Sequence, residues 1–417
     1  MINNSTKNRL AQFYPWAIMI LSATALIYKY VMQISPSVMT NHLMRAFHVY
    51  GTGLGNLAAT FFYTYLITQL FVGVLLDKFN LRLLTTLALA ISTIGTYSFA
   101  HAHTLSFALL SRALMGVGAG FFTVSYMKLA VNWFPPKKFA SIIGLLATAT
   151  MIGAIFGEAP LAWLIGHYGW RNAIMVCAWF GIIVTILFFL VVRDHPKNKL
   201  TVKLKQTITL KDVISVLTKK QNWILTLYSG ITFSPLAVFG GLWGTPFIRE
   251  TYGLSLTESA SLISLVFVGF ALGGPFFGYL SDRLQNRIRV MLLAVILSLI
   301  AIVFVVYLNA MPIWLLSIFL FFFGFGTGAF MLGFAIGKEI NKLALAATVI
   351  AVINTGDAIF GAFTEPLIGK LLDVGWKGKI IDNTHYFGIS DFHIAFLLLP
   401  CYLIISIILI LFIREPK

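Results

Sequence analysis

The chain has 417 residues, of which 59% are hydrophobic and 11% charged, with a formal net charge of +16. Soluble domains carry about 25% charged residues and disordered chains are poor in apolar ones, so both classes are excluded. Two cysteines are too few for a disulfide scaffold, and what remains is a polytopic membrane protein.

A helix crosses the hydrocarbon with about 20 apolar residues. Such stretches recur in chain order near 15–38, 52–76, 81–101, 104–128, 139–163, 170–192, 223–247, 257–280, 287–308, 312–335, 344–368 and 391–413. The fold class expected is therefore all-α, with twelve transmembrane helices. Lys7 and Arg9 precede the first stretch, but its apolar run is too long for a signal peptide and no cleavage site follows, so it reads as a span. Most connections are short. The segment 193–222 reads as a cytoplasmic linker between an N-terminal bundle, 1–192, and a C-terminal bundle, 223–417.

Lysine and arginine set the orientation. With the N-terminus inside, twenty-one fall on cytoplasmic segments and six outside: Arg45, Arg171, Arg249, Lys370, Lys377 and Lys379. That asymmetry gives N-in and C-in, and it accounts for the basic balance without a nucleic-acid partner, since no soluble basic domain exists. The linker lysines Lys197, Lys199, Lys203, Lys205 and Lys211 either touch anionic headgroups or are simply solvated.

The chain repeats itself once. Gly73-Val-Leu75-Leu-Asp77-Lys78 after the second span is matched by Gly278-Tyr-Leu280-Ser-Asp282-Arg283 after the eighth, 205 residues on. Pro160-Leu161 and Gly169-Trp170-Arg171 are matched by Pro366-Leu367 and Gly375-Trp376-Lys377, and Ser35-Pro36 by Ser234-Pro235. Two six-span units in the same order are one of the transporter architectures. With these motifs, and with Arg112-x-x-x-Gly116-x-Gly118 in the fourth span, the sequence resembles the major facilitator superfamily over essentially its whole length. Asn80 stands where that family usually has glycine, and asparagine tolerates a left-handed turn better than most residues.

The resemblance implies a solute carrier with a cavity lined by spans one, four, seven and ten, working by alternating access. It implies a gating role for Gly73, Asp77, Lys78, Arg82, Gly278, Asp282 and Arg283, with Asp77 holding the eleventh helix while the cytoplasmic side is shut. It links Arg112 to proton coupling. Solvated loop charges are the plainer reading of the gating set.

Charges inside spans are costly and mark pathways or partners. Lys29, Arg112, Lys128, Glu158, Asp357 and Glu365 qualify. Lys128 lies near a span end and can snorkel. Lys29, between Tyr28 and Tyr30 and close to Gln33, reads as a contact for a solute carboxylate, with an interhelix pair as the alternative. Ser234, Trp243, the Gly240-Gly241 pair and Asn354 are further cavity candidates. Proton coupling falls to Asp357 and Glu158, with Arg112 and Glu365 beside them. The alternatives are a permanent salt bridge for each carboxylate, and for Arg112 a buried pair with Glu158 or Asp357.

Gly116-x-x-x-Gly120, Gly153-x-x-x-Gly157 and Gly324-x-x-x-Gly328 bring helices close. Cys177 and Cys401 read as small buried hydrophobes. His101-x-His103 lacks further ligands, so no metal is expected; no cofactor and no phosphate-cradling loop are expected either. No nucleophile–base pair stands out, so no enzyme activity is expected. Glu158 replaces the proline of the family's efflux motif, and Trp133-Phe134-Pro135-Pro136 and Gln33-x-Ser35-Pro36 are similar to runs in nutrient importers. The expectation is a monomeric carrier in a bacterial inner membrane that imports an amino acid or organic acid with protons. An exporter, a carbohydrate carrier and a transport-dead sensor are the alternatives.

Overall fold

The structure, a computed structural model, describes residues 4–135, 138–195, 210–308, 311–342, 345–381 and 384–415. Lys137, Lys197, Lys199, Lys203, Lys205 and most of the expected linker lie outside the described residues. Eleven helical stretches among the described residues are long and apolar enough to span a bilayer. They are Phe13–Phe47, Gly51–Lys78, Leu81–Ala100, Leu105–Trp133, Gly144–Tyr168, Trp170–Val191, Lys220–Tyr252, Leu256–Leu284, Arg287–Tyr307, Ile313–Glu339 and Ile389–Leu411. The remaining span, eleventh in order, is the 30-residue helix Ala346–Gly375, set apart by its polar Asn354, Asp357 and Glu365. The fold is the all-α, twelve-span architecture expected, in two six-helix bundles. Ile380–Ile381 pairs antiparallel with Thr384–His385 in the loop before the last span.

Spans one and seven run further outward than their apolar stretches indicated, to Phe47 and Tyr252. Each is broken on the way. Ser35–Met39 is a 3-10 turn, because Pro36 has no N–H to return to the helix. Phe239–Trp243 is a π turn that follows Pro235. The two breaks touch each other across the halves.

Helix starts are capped locally. Thr104 accepts from the Phe107 N–H, and Ser255 forms a capping box with Glu258. Asn80 corrects the expectation of a left-handed turn: its φ is −63°, and its side chain accepts from the Leu83 N–H as the cap of span three. In the second half Asn286 does the same for Arg289, and the left-handed residue is Gln285, φ 48°. Asp194, just past span six, accepts from the Leu81 and Arg82 N–H groups, both at 2.9 Å. Glu415, just past span twelve, accepts from the Arg287 N–H. Each half thus ties its third helix to the end of its sixth with an acid at a helix N-terminus, where the dipole favours negative charge.

The halves meet along spans two and eleven and along spans five and eight. The outer ends are tight. A Cβ on Gly55 would lie 2.5 Å from Pro366 Cα, and one on Gly51 would lie 2.5 Å from the Gly369 carbonyl oxygen. At the cytoplasmic ends Gly73, Gly144 and Gly278 have no neighbour within 4 Å of that position. The outer seam of spans two and eleven is closed. The glycine pairs of the sequence serve packing within a half: Gly153 lies against Ile27, Gly116 against Phe61 and Gly324 against Val266. Cys177 is half-buried, but Cys401 faces outward, correcting the expectation of a buried thiol. In a bilayer that side is lipid, which accepts a small apolar residue as readily as a core does.

Candidate functional site

A small cavity of about 30 Å3 lies on the seam between the halves at the level of the helix breaks. Tyr30, Gln33, Phe62 and Met151 wall it from one half, and Phe233, Leu236, Gly241 and Glu365 from the other. Lys29 is 3% exposed, with its Nζ 4.2 Å from the Tyr65 ring centre and 4.7 Å from that of Tyr30. Cation–π attraction of this kind holds a cation without neutralising it. No carboxylate among the described residues pairs with Lys29. Asp357, in the opposite half, accepts from Ser229 Oγ at 2.6 Å and lies within electrostatic range of Tyr30 and Tyr65. The same two tyrosines thus touch a cation of one bundle and lie within electrostatic range of a carboxylate of the other. Asn354 lies one helical turn nearer the cytoplasm on the same helix and is half-buried.

Two expected cavity residues point elsewhere. Tyr28 donates to or accepts from Thr96 Oγ1 at 2.7 Å and packs on Phe180, inside the N-terminal bundle. Successive helical residues are about 100° apart, so Tyr28 cannot share the face of Lys29 and Gln33. Ser234 donates to Thr364 Oγ1 at 2.9 Å and joins spans seven and eleven within one half. Trp243 sits higher: its indole N–H donates to the Glu365 carbonyl at 3.1 Å, and the ring divides the seam cavity from a vestibule above it.

Arg112 is wholly buried; it forms no ion pair with the expected partners Glu158 and Asp357, and Glu365 is a carboxylate within its electrostatic range. Its NH1 donates to the Met32 carbonyl at 2.6 Å and its NH2 to the Ala58 carbonyl at 3.2 Å. Met32 is four residues before Pro36, so its carbonyl is one that the proline cannot serve. Arg112 is the brace of the break in span one.

Glu158 is also wholly buried and lies at the kink between Phe139–Gly157 and Ala159–Tyr168. It accepts from Ser37, on its own half, and from Thr245 Oγ1 at 2.9 Å, on the other. It is the point at which hydroxyls of the two halves converge on one carboxylate. Glu365 is 3% exposed, and its Oε2 has no hydrogen-bond partner among the described residues.

On the cytoplasmic side Asp77 is exposed and pairs with Lys128 at 2.7 Å, within its own half. Lys128 therefore does more than snorkel: it pairs with the motif aspartate. Asp282 pairs with Arg287 at 3.7 Å, and Arg287 with Glu339 at 2.6 Å. Arg82 donates to the Phe189 carbonyl at 2.7 Å, inside the bundle, rather than to the other half. Lys78 and Arg283 are exposed. Gly73 and Gly278 face open space.

The outer closure rests on residues the sequence reading did not single out. Asp373, near the end of span eleven, accepts from the N–H groups of Gly51 and Thr52 at 2.7 and 2.8 Å and from Thr52 Oγ1 at 2.6 Å. A carboxylate thus caps the outer N-terminus of span two from the opposite half. Beside it the His385 ring is stacked between Tyr50, 3.5 Å away, and Trp376, 3.6 Å away, with Nδ1 3.8 Å from Asp373. Burial between the rings holds the His385 pKa below its ordinary value near 6.5, and the Asp373 charge opposes this without reversing it. The latched form therefore binds fewer protons than the unlatched form. Outer closure is supported above the ordinary histidine pKa and weakens as pH falls through it. We expect outer-side thiol labelling of a cysteine at Ala237 to speed up between pH 7.5 and pH 5. His385→Phe, which keeps the stack, is expected to flatten that dependence; an unchanged slope would remove His385 from the latch.

Comparison with known proteins is consistent with this geometry. The model of the Major Facilitator Superfamily matches residues 20–364 and again 225–417. The chain belongs to that family and is a multi-pass membrane protein; it spans little more than half the length of several of the curated relatives it matches. It is 23% identical over 57% of its length to the hexuronate transporter of Bacillus subtilis (strain 168), of which it spans 58%. It is 25% identical over 77% of its length to the "Probable galactarate/D-glucarate transporter GudP" of the same organism, of which it spans 77%. Among solved structures, a bacterial homologue of the human lysosomal transporter Spinster, in an inward-facing and unoccupied conformation, superimposes with a TM-score of 0.76. That match has 16% identity and covers 96% of this chain and 95% of the other, so it speaks for the fold.

Proposed function

We propose that the protein is a secondary active transporter that imports a small carboxylate-bearing metabolite, an organic or sugar acid, together with protons, across a bacterial inner membrane. The observation that carries this reading is Lys29. It is a buried cation next to Tyr30, which walls the seam cavity, held by aromatic rings and lacking a carboxylate partner among the described residues, so a solute carboxylate is the partner it lacks. A sugar acid also suits the hydroxyl and phenol groups around it, and the named solutes of both relatives above are carboxylates of that kind. Gln33, Glu365 and Asn354 are assigned to the solute path, while Trp243 closes it from outside. The chain works as a monomer with one site shared by its two bundles, divided in sequence at the 193–222 linker.

Coupling is assigned to Asp357 and Glu158, each held by hydroxyls rather than by a cation. A buried carboxylate without a counter-ion is neutralised most simply by a proton. Asp357 faces the solute site and Glu158 the outer seam, so proton release inside and uptake outside fall on different carboxylates. Asp77 engages span eleven when the cytoplasmic side shuts and passes to Lys128 when it opens.

The test is uptake of labelled D-glucuronate and a panel of organic and amino acids into proteoliposomes, with and without an imposed pH gradient. Gradient-driven accumulation of a carboxylate is expected, and Asp357→Asn is expected to lower accumulation at least tenfold while sparing counterflow exchange. Loss of both activities in a folded Asp357→Asn protein would place that residue in solute binding instead. Absence of any flux in the wild type would sink the carrier reading and favour a sensor.

A further inference from the structure

Glu365 lines the seam cavity from span eleven. It is 3% exposed, and its Oε2 makes no hydrogen bond among the described residues. A buried acceptor left without a donor is costly, and native structures keep few of them. The residue is held firmly at its backbone. The Trp243 indole N–H donates to its carbonyl at 3.1 Å, and a Cβ on Gly55 would lie 2.6 Å from that same carbonyl oxygen. Glu365 therefore stands where spans two, seven and eleven meet, with one carboxylate oxygen to spare.

The other buried carboxylates of the seam are already served: Ser37 and Thr245 donate to Glu158, and Ser229 to Asp357. Arg112, a cation within electrostatic range of Glu365, gives NH1 and NH2 to the Met32 and Ala58 carbonyls. It supplies charge at a distance, so what Glu365 lacks is a donor and not a second cation. The guanidinium would oppose an ammonium group there, and would not oppose a neutral hydroxyl.

The cavity has the size of such a group. Its volume of about 30 Å3 exceeds the about 10–15 Å3 that one water needs, and falls far below the about 300 Å3 of a whole small-ligand site. Apart from Glu365, Tyr30 and Gln33 its wall is apolar. Tyr30 joins it to Lys29, since its ring centre lies 4.7 Å from Lys29 Nζ. Gln33 is one turn beyond Lys29 on span one, about 6 Å along the axis. A solute held by its carboxylate at Lys29 thus reaches the cavity with a group further along its chain. Both halves contribute to the wall that shields Oε2, so rocking of the halves parts it.

We propose that the seam cavity is a hydroxyl subsite: Glu365 accepts a hydrogen bond from a hydroxyl of the solute, and the carrier selects polyhydroxy acids over carboxylates of equal length that lack hydroxyls or carry an amino group instead. The proposal rests on the carboxylate-transport reading above and narrows its solute. A hydrogen bond to a charged acceptor is stronger than a neutral one, and a site built to make it rejects an analogue that cannot. Gly241 is the size control. It lines the cavity, and a Cβ there would meet nothing within 4 Å, so Gly241→Ala puts a methyl group in the place of the hydroxyl without displacing a neighbour.

The experiment is calorimetric titration of the full-length protein in lipid nanodiscs with D-glucarate, adipate and 2-aminoadipate, which share chain length and both carboxylates. D-Glucarate is expected to bind at least tenfold more tightly than either of the others. Glu365→Gln, which keeps the shape and removes the charge, is expected to weaken D-glucarate at least fivefold and to leave adipate within about twofold. Gly241→Ala is expected to do the same, and it carries the test if Glu365→Gln does not fold. Adipate bound as tightly as D-glucarate by the wild type, or a D-glucarate preference that survives these changes, overturns the subsite. Tighter binding of 2-aminoadipate than of D-glucarate overturns it too, by making Glu365 an ammonium site. Proteoliposome uptake separates the two readings. Selective binding of D-glucarate without flux leaves the subsite standing and removes transport. Equal flux of adipate and D-glucarate leaves transport standing and removes the subsite. If neither compound binds or moves, both fall together.

Discussion

Gly369→Val is expected to hold the carrier open to the outside. A Cβ at Gly369 would lie 2.1 Å from the Gly51 carbonyl oxygen, and one at Gly51 2.5 Å from the Gly369 oxygen. Both obstacles are backbone, so neither can swing away as a side chain would. The seam of spans two and eleven must separate, and with it go the three hydrogen bonds by which Asp373 caps span two. Overpacking of this kind costs about 1–3 kcal/mol, and each 1.4 kcal/mol is about tenfold in a population. An impermeant maleimide added outside is therefore expected to label a cysteine at Ala237, on the seam cavity, roughly 10–100 times faster in a background of Cys177→Ala and Cys401→Ala. Uptake is expected to fall at least tenfold, because the cycle must pass through the closed outer state. Gly166→Val, at a position with no neighbour within 4 Å, should change neither by more than about twofold. Wild-type labelling in Gly369→Val would mean that this seam is not the outer gate.

The parts of this gate differ in how far a sequence reveals them. The spans are legible because a bilayer imposes length and apolarity on each helix separately. The duplication is legible because Gly73 to Arg82 and Gly278 to Arg287 keep their spacing. Buried charges such as Lys29, Arg112, Glu158 and Glu365 stand out because lipid makes each of them expensive. Their partners do not stand out. Asp373, near Lys370 at a span end, reads as an ordinary loop charge, and only the approach of span two gives it a helix N-terminus to cap. His385 acquires its meaning from Tyr50, 335 positions earlier, which no local pattern announces. The acids capping the third helix of each half did leave a signal: Arg193-Asp194 and Arg414-Glu415 close the two halves in the same way. Tyr28 shows the opposite error, a neighbour in sequence taken as a neighbour in the site, which the helical period contradicts.

Arg112→Met is expected to abolish transport and lower the melting temperature, and Arg112→Lys to keep the fold but cut the transport rate at least tenfold. The guanidinium reaches Met32 on span one and Ala58 on span two with separate nitrogens. Hydrogen bonds from a charged donor contribute about 1.5–3 kcal/mol each, so the methionine strips the charged donor from the Met32 carbonyl, which keeps Ser35 Oγ at 3.0 Å, and leaves the break unbraced. Lysine retains the charge but presents a point rather than a fork, so it can serve one carbonyl and must release the other. A brace and a proton-coupling group therefore give different signatures. If Arg112 holds the hinge, Arg112→Lys slows every mode of transport alike, including counterflow, and leaves the pH profile of uptake unchanged. A lysine variant that exchanges solute at the wild-type rate but loses its response to an imposed pH gradient would overturn the brace and return Arg112 to the coupling pathway. The brace is favoured because the span-one break that Arg112 holds touches the break in span seven, and rocking the halves requires both breaks to keep their shape while their partners change.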